Sequence, residues 1–296
     1  MQLWNSRGEL EALTDLRRQG PLVLVPTMGA LHDGHLSLVR AGAQLGSVVV
    51  TIFVNPTQFG PGEDFDSYPR TLERDMEKLS DLPVAGIFAP PVHEIYSRGE
   101  EVTVQPGHRG RGLCGGDRPG HFAGVLTVVN KLLNLTGPDV AVFGRKDAQQ
   151  CLVIDQMVQD LKMPVRLVDA PTRREADGLA MSSRNRYLSP QQRQQALCLH
   201  RALTAGRTLL KAGSRRRADI VAAMEHELQA ADSVEYAQLR RVPDLEETPE
   251  VAGRILLAVA ARVGPARLID NFVLKVEDAG GKGISESHLL GTGEEI

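Results

Sequence analysis

The sequence predicts an α/β protein: a doubly wound parallel sheet followed by a smaller α+β domain. Three observations carry that expectation. Short apolar runs rich in β-branched residues alternate with amphipathic segments as far as residue 170. A glycine-containing stretch with two histidines joins the first clear run to the helix after it. Past a boundary placed at 175/176 the order changes to helices and then strands.

The histidine stretch organises the rest. Residues 22–25 (Leu-Val-Leu-Val) read as a buried strand, and residues 36–41 carry helical apolar spacing. Between them lies Pro26-Thr27-Met28-Gly29-Ala30-Leu31-His32-Asp33-Gly34-His35, a strand-to-helix turn. The first amides of a helix lack intrahelical acceptors, and its aligned peptides concentrate positive potential there. Phosphate oxygens fit such a place, and imidazole N–H groups beside the amides add rigid donors. His32 and His35, three apart, share one helix face; the same potential disfavours imidazolium, so at least one ring is expected to be neutral. An H-x-x-H pair also reads as half a metal site or as solvated residues, and the pattern alone leaves this open.

Composition narrows the class. With 296 residues and 42% hydrophobic content the chain can fill two cores, set at residues 1–175 and 176–280, with a glycine- and polar-rich tail at 281–296 expected to be disordered. The balance of 34 basic against 37 acidic residues gives no global case for nucleic-acid or membrane binding. Cys114, Cys151 and Cys198 form no C-x-x-C pair and read as reduced packing residues, which with the absence of an N-terminal apolar core points to a cytoplasmic protein.

In chain order, residues 9–19 read as a helix ended by Gly20-Pro21, and residues 48–54 as a buried parallel strand. Asn55 and Gln58 follow that strand, either as substrate contacts or as ordinary turn residues. Residues 64–75 are charged and lead into a helix; they are expected to form a solvated face, with Asp75 a lesser candidate for a metal contact. Residues 85–90 read as a strand, and residues 107–120 as a glycine- and arginine-rich loop in which Arg109 and Arg111 are taken as solvated. A helix begins at His121, and a strand at 140–143 delivers Gly144, Arg145, Lys146 and Asp147. Lys146 reads as a point charge for a polyphosphate or as a helix-cap cation, and Gln150 as a donor to a small polar substrate. After a strand at 165–170, Ser182-Ser183-Arg184 offers hydroxyls and a guanidinium to phosphate, or forms a plain hinge. Residues 190–212 read as one long helix, 218–231 as another, and 234–239, 255–260 and 267–274 as strands; this domain carries no catalytic motif of its own, as suits a lid.

Five motifs in register, over residues 22–188, resemble one family. They are the stretch from Pro26 to His35; Phe53-Val54-Asn55-Pro56-Thr57-Gln58-Phe59; Arg118-Pro119-Gly120-His121-Phe122 with Gly124-Val125; Lys146-Asp147 with Gln149-Gln150; and Asp177-Gly178-Leu179-Ala180-Met181-Ser182-Ser183-Arg184-Asn185. The family is pantothenate synthetase (pantoate–β-alanine ligase).

The resemblance implies a Rossmann-like sheet of the nucleotidyltransferase type, a homodimer, and Mg2+ with ATP. It implies that pantoate and ATP form pantoyl adenylate and pyrophosphate, after which β-alanine displaces AMP to give pantothenate, the precursor of coenzyme A. By position it places Met28, Gly29, Ala30, Leu31, His32, Asp33, Gly34 and His35 on ATP, with His35 the proton donor and His32 and Lys146 beside it in the chemistry. It adds Gly144, Arg145, Lys146, Asp147, Arg173, Met181, Ser182, Ser183 and Arg184 around the nucleotide. Gln58 and Gln150 fall on pantoate, and Asn55 and Arg118 are further substrate-contact candidates. The metal ligands stay unknown.

Two positions depart: Arg145 stands where the family commonly has glutamate, and Arg173 where it has valine. Backbone contacts to ATP would tolerate both. A nucleotidyltransferase, or a fragment like a class I aminoacyl-tRNA synthetase, would use the same histidine pair, but neither a basic surface nor an anticodon-binding extension is evident. A non-catalytic nucleotide-binding module would have no use for the full set of polar site positions.

Overall fold

The structure, a computed structural model, describes residues 1–277 and 283–290. Two compact units divide the chain: Met1–Arg145 with Gln150–Pro171, and Lys146–Gln149 with the described residues from Thr172 onward.

The first unit opens with β1 (Gln2–Trp4), α1 (Leu13–Gln19), β2 (Leu22–Thr27), α2 (Asp33–Ala43), β3 (Ser47–Ile52), α3 (Leu72–Ser80) and β4 (Val84–Phe88). The single turns α4 (Val92–Ile95) and α5 (Cys114–Asp117) follow, then α6 (His121–Thr136), β5 (Val140–Gly144), α7 (Ala148–Asp160) and β6 (Arg166–Ala170). Its six strands are parallel, in the order β1-β4-β3-β2-β5-β6. Continuous β-branched runs form the central strands because both faces are covered: Leu22 to Val25 and Val48 to Val50 are each fully buried. The strand β1 is not anticipated by the sequence pattern, being three residues long. It is held by parallel pairing to β4 and by Trp4, whose ring lies where a Cβ on Gly86 would stand, within 2.2 Å.

The second unit holds α8 (Pro190–Ala196), α9 (Cys198–Lys211), α10 (Arg217–Leu228), β7 (Ser233–Arg241), β8 (Gly253–Val263), β9 (Ala266–Val276) and β10 (Ile284–Glu286). Its sheet is antiparallel, ordered β10-β9-β8-β7. On α10, Ile220, Met224 and Leu228 recur every fourth residue and join Leu199, Leu203 and Leu210 of α9 in one core with Ile255, Leu257 and Val259 of β8.

Two expectations need correction here. The long helix at 190–212 is two helices, because Leu197 closes a tight turn onto the Gln194 carbonyl at 3.3 Å, after which α9 starts afresh. Part of the expected disordered tail is ordered: Ile284–Glu286 pairs with β9, and Leu289 and Leu290 are buried at 0% and 2% exposure. Glycine-rich composition hid three apolar anchors. Residues 281–282 and 291–296 lie outside the described residues.

All three cysteines are buried, and none of them is in a disulfide. No helix among the described residues is long and apolar enough to cross a membrane.

Candidate active site

In the first sheet β2 pairs with β3 on one side and β5 on the other, so the winding reverses beside it. Ligands of open parallel sheets enter beyond the strand ends at such a reversal. The chain leaves β2 there and turns through Met28, Gly29, Ala30 and Leu31 into α2. Gly29 and Ala30 are left-handed, at φ 79° and 51°. For alanine that backbone costs on the order of 1 kcal/mol or more, so something must hold it.

Asp75 holds it. The carboxylate is 1% exposed and accepts from Ala30 N and Leu31 N, each at 2.8 Å, and from Thr71 Oγ1 at 3.2 Å. Lys78, on the same face of α3, donates to the Leu31 carbonyl. A Cβ on Gly29 would stand 3.1 Å from Asp75 Oδ2, so the glycine admits the carboxylate as well as the φ. The sequence expectation of a solvated Asp75 is therefore wrong; its role is to brace the turn. Positions 71, 75 and 78 share a helix face, and that spacing is the signal that was available.

At the head of α2, His32 is extended and caps the helix. The His32 backbone N–H donates to His35 Nδ1 at 3.3 Å, and His35 N returns to His32 O at 2.8 Å. The two imidazoles lie with centroids 4.0 Å apart, tilted by 37°. A ring nitrogen that accepts needs its lone pair, so this bond assigns the His35 hydrogen to Nε2. The structure thus brings together, at one helix N-terminus, an Nε2–H donor, a second imidazole and the amides of Asp33 and Gly34, which meet no acceptor among the described residues.

A second corner follows β3. Asn55 is 1% exposed and its Nδ2 donates to Gln58 Oε1 at 3.0 Å, so it reaches Gln58 rather than open space. Arg118 is likewise engaged: a fork to Glu63, with Nε–Oε1 and Nη2–Oε2 both 2.6 Å, and Nη1 at 3.0 Å from His121 Nε2. His121 Nδ1 lies 2.9 Å from the Gln58 carbonyl, which makes it the donor and fixes that ring's tautomer. Glu63 is a neighbour of Arg118 that the sequence reading passes over, because nothing local ties residue 63 to residue 118, and His121, read only as part of a motif, joins them. Burial pushes the Glu63 carboxyl up, but its hydrogen bonds to Arg118 and that guanidinium's charge prevail and hold it below the ordinary 4.5.

At the end of β5, the Gly144 carbonyl lies 3.5 Å from Cys151 Sγ, and the buried Arg145 side chain turns sideways to Asp169 of β6, Nε–Oδ2 2.6 Å. Arg145 thus meets the neighbouring strand with its side chain. Gln150, on α7, is half-buried.

In the second unit Lys146 and Ser182 line one small cavity with Asn185 and Asp270, and the Lys146 carbonyl accepts from Asn271 Nδ2 at 2.8 Å. Arg173 is exposed, and its carbonyl accepts from Met181 N at 3.0 Å. Ser182 Oγ accepts from Arg184 N at 3.3 Å and caps a short 3-10 turn, Ser183–Tyr187. Asp147 ends another such turn, Arg145–Asp147, before α7.

A family model described as pantoate-beta-alanine ligase matches residues 2–273. The chain belongs to the pantoate–β-alanine ligase family. Pantothenate synthetase from Moorella thermoacetica is 54% identical over 258 residues, 86% of this chain and 91% of that protein. The Geobacter sulfurreducens pantothenate synthetase is 48% identical over 283 residues, 94% of this chain and all (100%) of that one. Among solved structures, pantothenate synthetase from Thermus thermophilus superposes with a TM-score of 0.88 at 43% identity, covering 94% of this chain and 100% of its own. Pantoate-beta-alanine ligase from Francisella tularensis, complexed with beta-gamma ATP and beta-alanine, gives 0.76 at 32% identity over 92% and 97% of the two chains. The chain has the α/β parallel sheet and smaller antiparallel domain, and the family's ligase activity is the one that the five motifs implied.

Proposed function

We propose that this ligase forms pantothenate from pantoate and β-alanine in two steps through pantoyl adenylate. The observation that supports it best is the close His32–His35 pair at the head of α2, on a turn braced by a buried carboxylate. A carboxylate is a poor acyl donor, because oxide leaves badly. In the first step a pantoate carboxylate oxygen attacks the α-phosphorus of ATP, and the bond to pyrophosphate breaks. In the second the β-alanine amine attacks the acyl carbon, and the bond to AMP breaks.

The first step drives two anions together, so the site must offset their repulsion. The amides of Asp33 and Gly34 and the His35 Nε2–H serve the phosphate oxygens, and the turn from Met28 to Leu31, its own amides held by Asp75 and Thr27, lines the nucleotide beside them. His32 adds its ring, Lys146 a point charge, and Ser182, Ser183 and Arg184 further donors. Gly144, Arg145 and Asp147, with Arg173 and Met181, bound the nucleotide through their backbones. Gln58 and Gln150 hold pantoate. Alignment of this kind is worth on the order of 7–11 kcal/mol in favourable cases.

Magnesium enters this reading only with the nucleotide's own phosphates. Among the described residues no group of three or more His, Cys, Asp or Glu fits a metal cage, and both oxygens of Asp75 already accept hydrogen bonds. The family resemblance also carries a homodimer, which light scattering on the purified protein checks.

One assay tests the reaction. Purified protein is given ATP and magnesium, with pantoate and β-alanine added separately and together. Pyrophosphate should appear only with pantoate, and pantothenate only when β-alanine joins it; pyrophosphate release indifferent to pantoate would sink the reading.

A further inference from the structure

We propose that Tyr96 is a positioning residue for the hydroxy-acid substrate, acting through Asn55 to hold the Gln58 carboxamide with its N–H2 group outward. The proposal rests on the reading of Gln58 as the pantoate contact.

The direction of the Asn55 carboxamide is fixed by partners that cannot exchange roles. Its Nδ2 donates to the Gly124 carbonyl at 3.2 Å, and its Oδ1 accepts from the Thr57 backbone N–H at 3.4 Å. The shortest bond to Oδ1 comes from the Tyr96 hydroxyl, at 2.7 Å, with Thr57 Oγ1 3.0 Å from both oxygens. The Gly124 carbonyl and the Thr57 amide therefore set which way round Asn55 sits, the two hydroxyls tighten it there, and a second Nδ2 hydrogen is left aimed at Gln58 Oε1, 3.0 Å away.

That contact decides the next amide. An Asn N–H2 can meet only an acceptor, so Gln58 must turn its oxygen inward. Its Nε2 is left without a protein acceptor among the described residues and presents two N–H donors. Such a group matches the carboxylate or hydroxyl oxygens of a hydroxy acid and opposes an ammonium. The Gln58 backbone is fixed separately, its carbonyl accepting from His121 Nδ1 at 2.9 Å and from Arg118 Nη2 at 3.3 Å. Close approach of this turn to α6 requires Gly124, because a Cβ there would fall 2.3 Å from the Thr57 carbonyl oxygen.

Tyr96 itself is well seated. Its N–H donates to the Val92 carbonyl at 2.8 Å, and Lys131 Nζ stands 5.1 Å over its ring while also donating to the Ile95 carbonyl at 3.1 Å. Only the hydroxyl reaches Asn55 and Thr57, so Tyr96→Phe keeps the packing and removes the strongest hold on Asn55.

The test is a set of steady-state constants for the full chain. Tyr96→Phe should raise the pantoate KM about 10-fold, the scale of one unmade buried hydrogen bond. The ATP and β-alanine KM values and the Tm should stay close to those of the unchanged protein. Asn55→Asp replaces the N–H2 with oxygen and forces Gln58 to turn its own N–H2 inward, so it should raise pantoate KM further, about 100-fold. Gln58→Ala is measured in parallel. If Gln58→Ala raises pantoate KM and Tyr96→Phe leaves it within twofold, or moves the ATP KM equally, the positioning role is overturned. If Gln58→Ala leaves pantoate KM unchanged, the assignment of Gln58 itself has failed.

Discussion

Asp75 in the first unit and Asp270 in the second are both nearly inaccessible, at 1% and 4% exposure, yet different partners satisfy their oxygens. Asp75 accepts from two backbone amides of the histidine turn and from the Thr71 hydroxyl. Asp270 meets the Arg174 guanidinium, Nη1–Oδ2 2.6 Å and Nη2–Oδ1 2.9 Å, in a segment where Arg174 also bridges to Ala180. The first carboxylate shapes a loop; the second ties a connector to a strand. A buried charge therefore has two uses here, and kinetics and stability should separate them.

The largest expected effect lies on what the braced turn presents. His35→Ala should slow adenylate formation by about 10²–10³-fold, the scale of losing one transition-state donor, with Tm nearly unchanged. Near-normal turnover in rapid-quench assays would remove His35 from the chemistry and with it the point of the brace.

Asp270→Asn should act the other way. Breaking a buried pair costs about 3–5 kcal/mol, and because the Arg174 side chain keeps 19% of its exposure the lower end applies. Denaturant melts should show that loss, and a variant as stable as the unchanged protein would contradict the contrast.

Asp75→Asn keeps one acceptor and turns a donor against a buried amide, for about 2 kcal/mol. Its signature should be a raised ATP KM with pantoate KM spared. Equal changes in both constants would make Asp75 a general packing residue.

The smallest effect is at Glu63, whose folded carboxyl sits below its ordinary 4.5 beside Arg118. The unfolded chain takes up that proton first as pH falls. The contribution is therefore complete above about pH 4.5 and disappears as pH drops through the lower folded value. Glu63→Gln should cost about 1 kcal/mol or less at neutral pH, and the two stability curves should converge in acid. A gap that persists unchanged at low pH would show that the charge is irrelevant.

The contrast also explains what was legible beforehand. Runs such as Val48 to Val50 announce buried strands because burial on both faces leaves no polar alternation to confuse them. The edge strand β1 gives no such signal, since three residues make no period. The tail around Leu289 and Leu290 fails for a related reason: composition averages over a window, while burial is decided by one or two side chains.

Within the proposed site, the amino-acid order alone determined where the strand-to-helix turns lie. A strand end, a glycine and a helix start are local events governed by neighbours three or four residues apart. It also put His32 and His35 side by side, although His32 is the extended cap and not part of the helix, because a cap and the third helical residue bond to each other across the helix end. What the side chains do at those turns was settled by tertiary structure, as pairs remote in sequence meet: Asp75 with Ala30, Glu63 with Arg118, Tyr96 with Asn55, Arg145 with Asp169. A lone carboxylate or carboxamide reads as a solvated group until something distant is seen to bury it, and burial is what makes its partner obligatory.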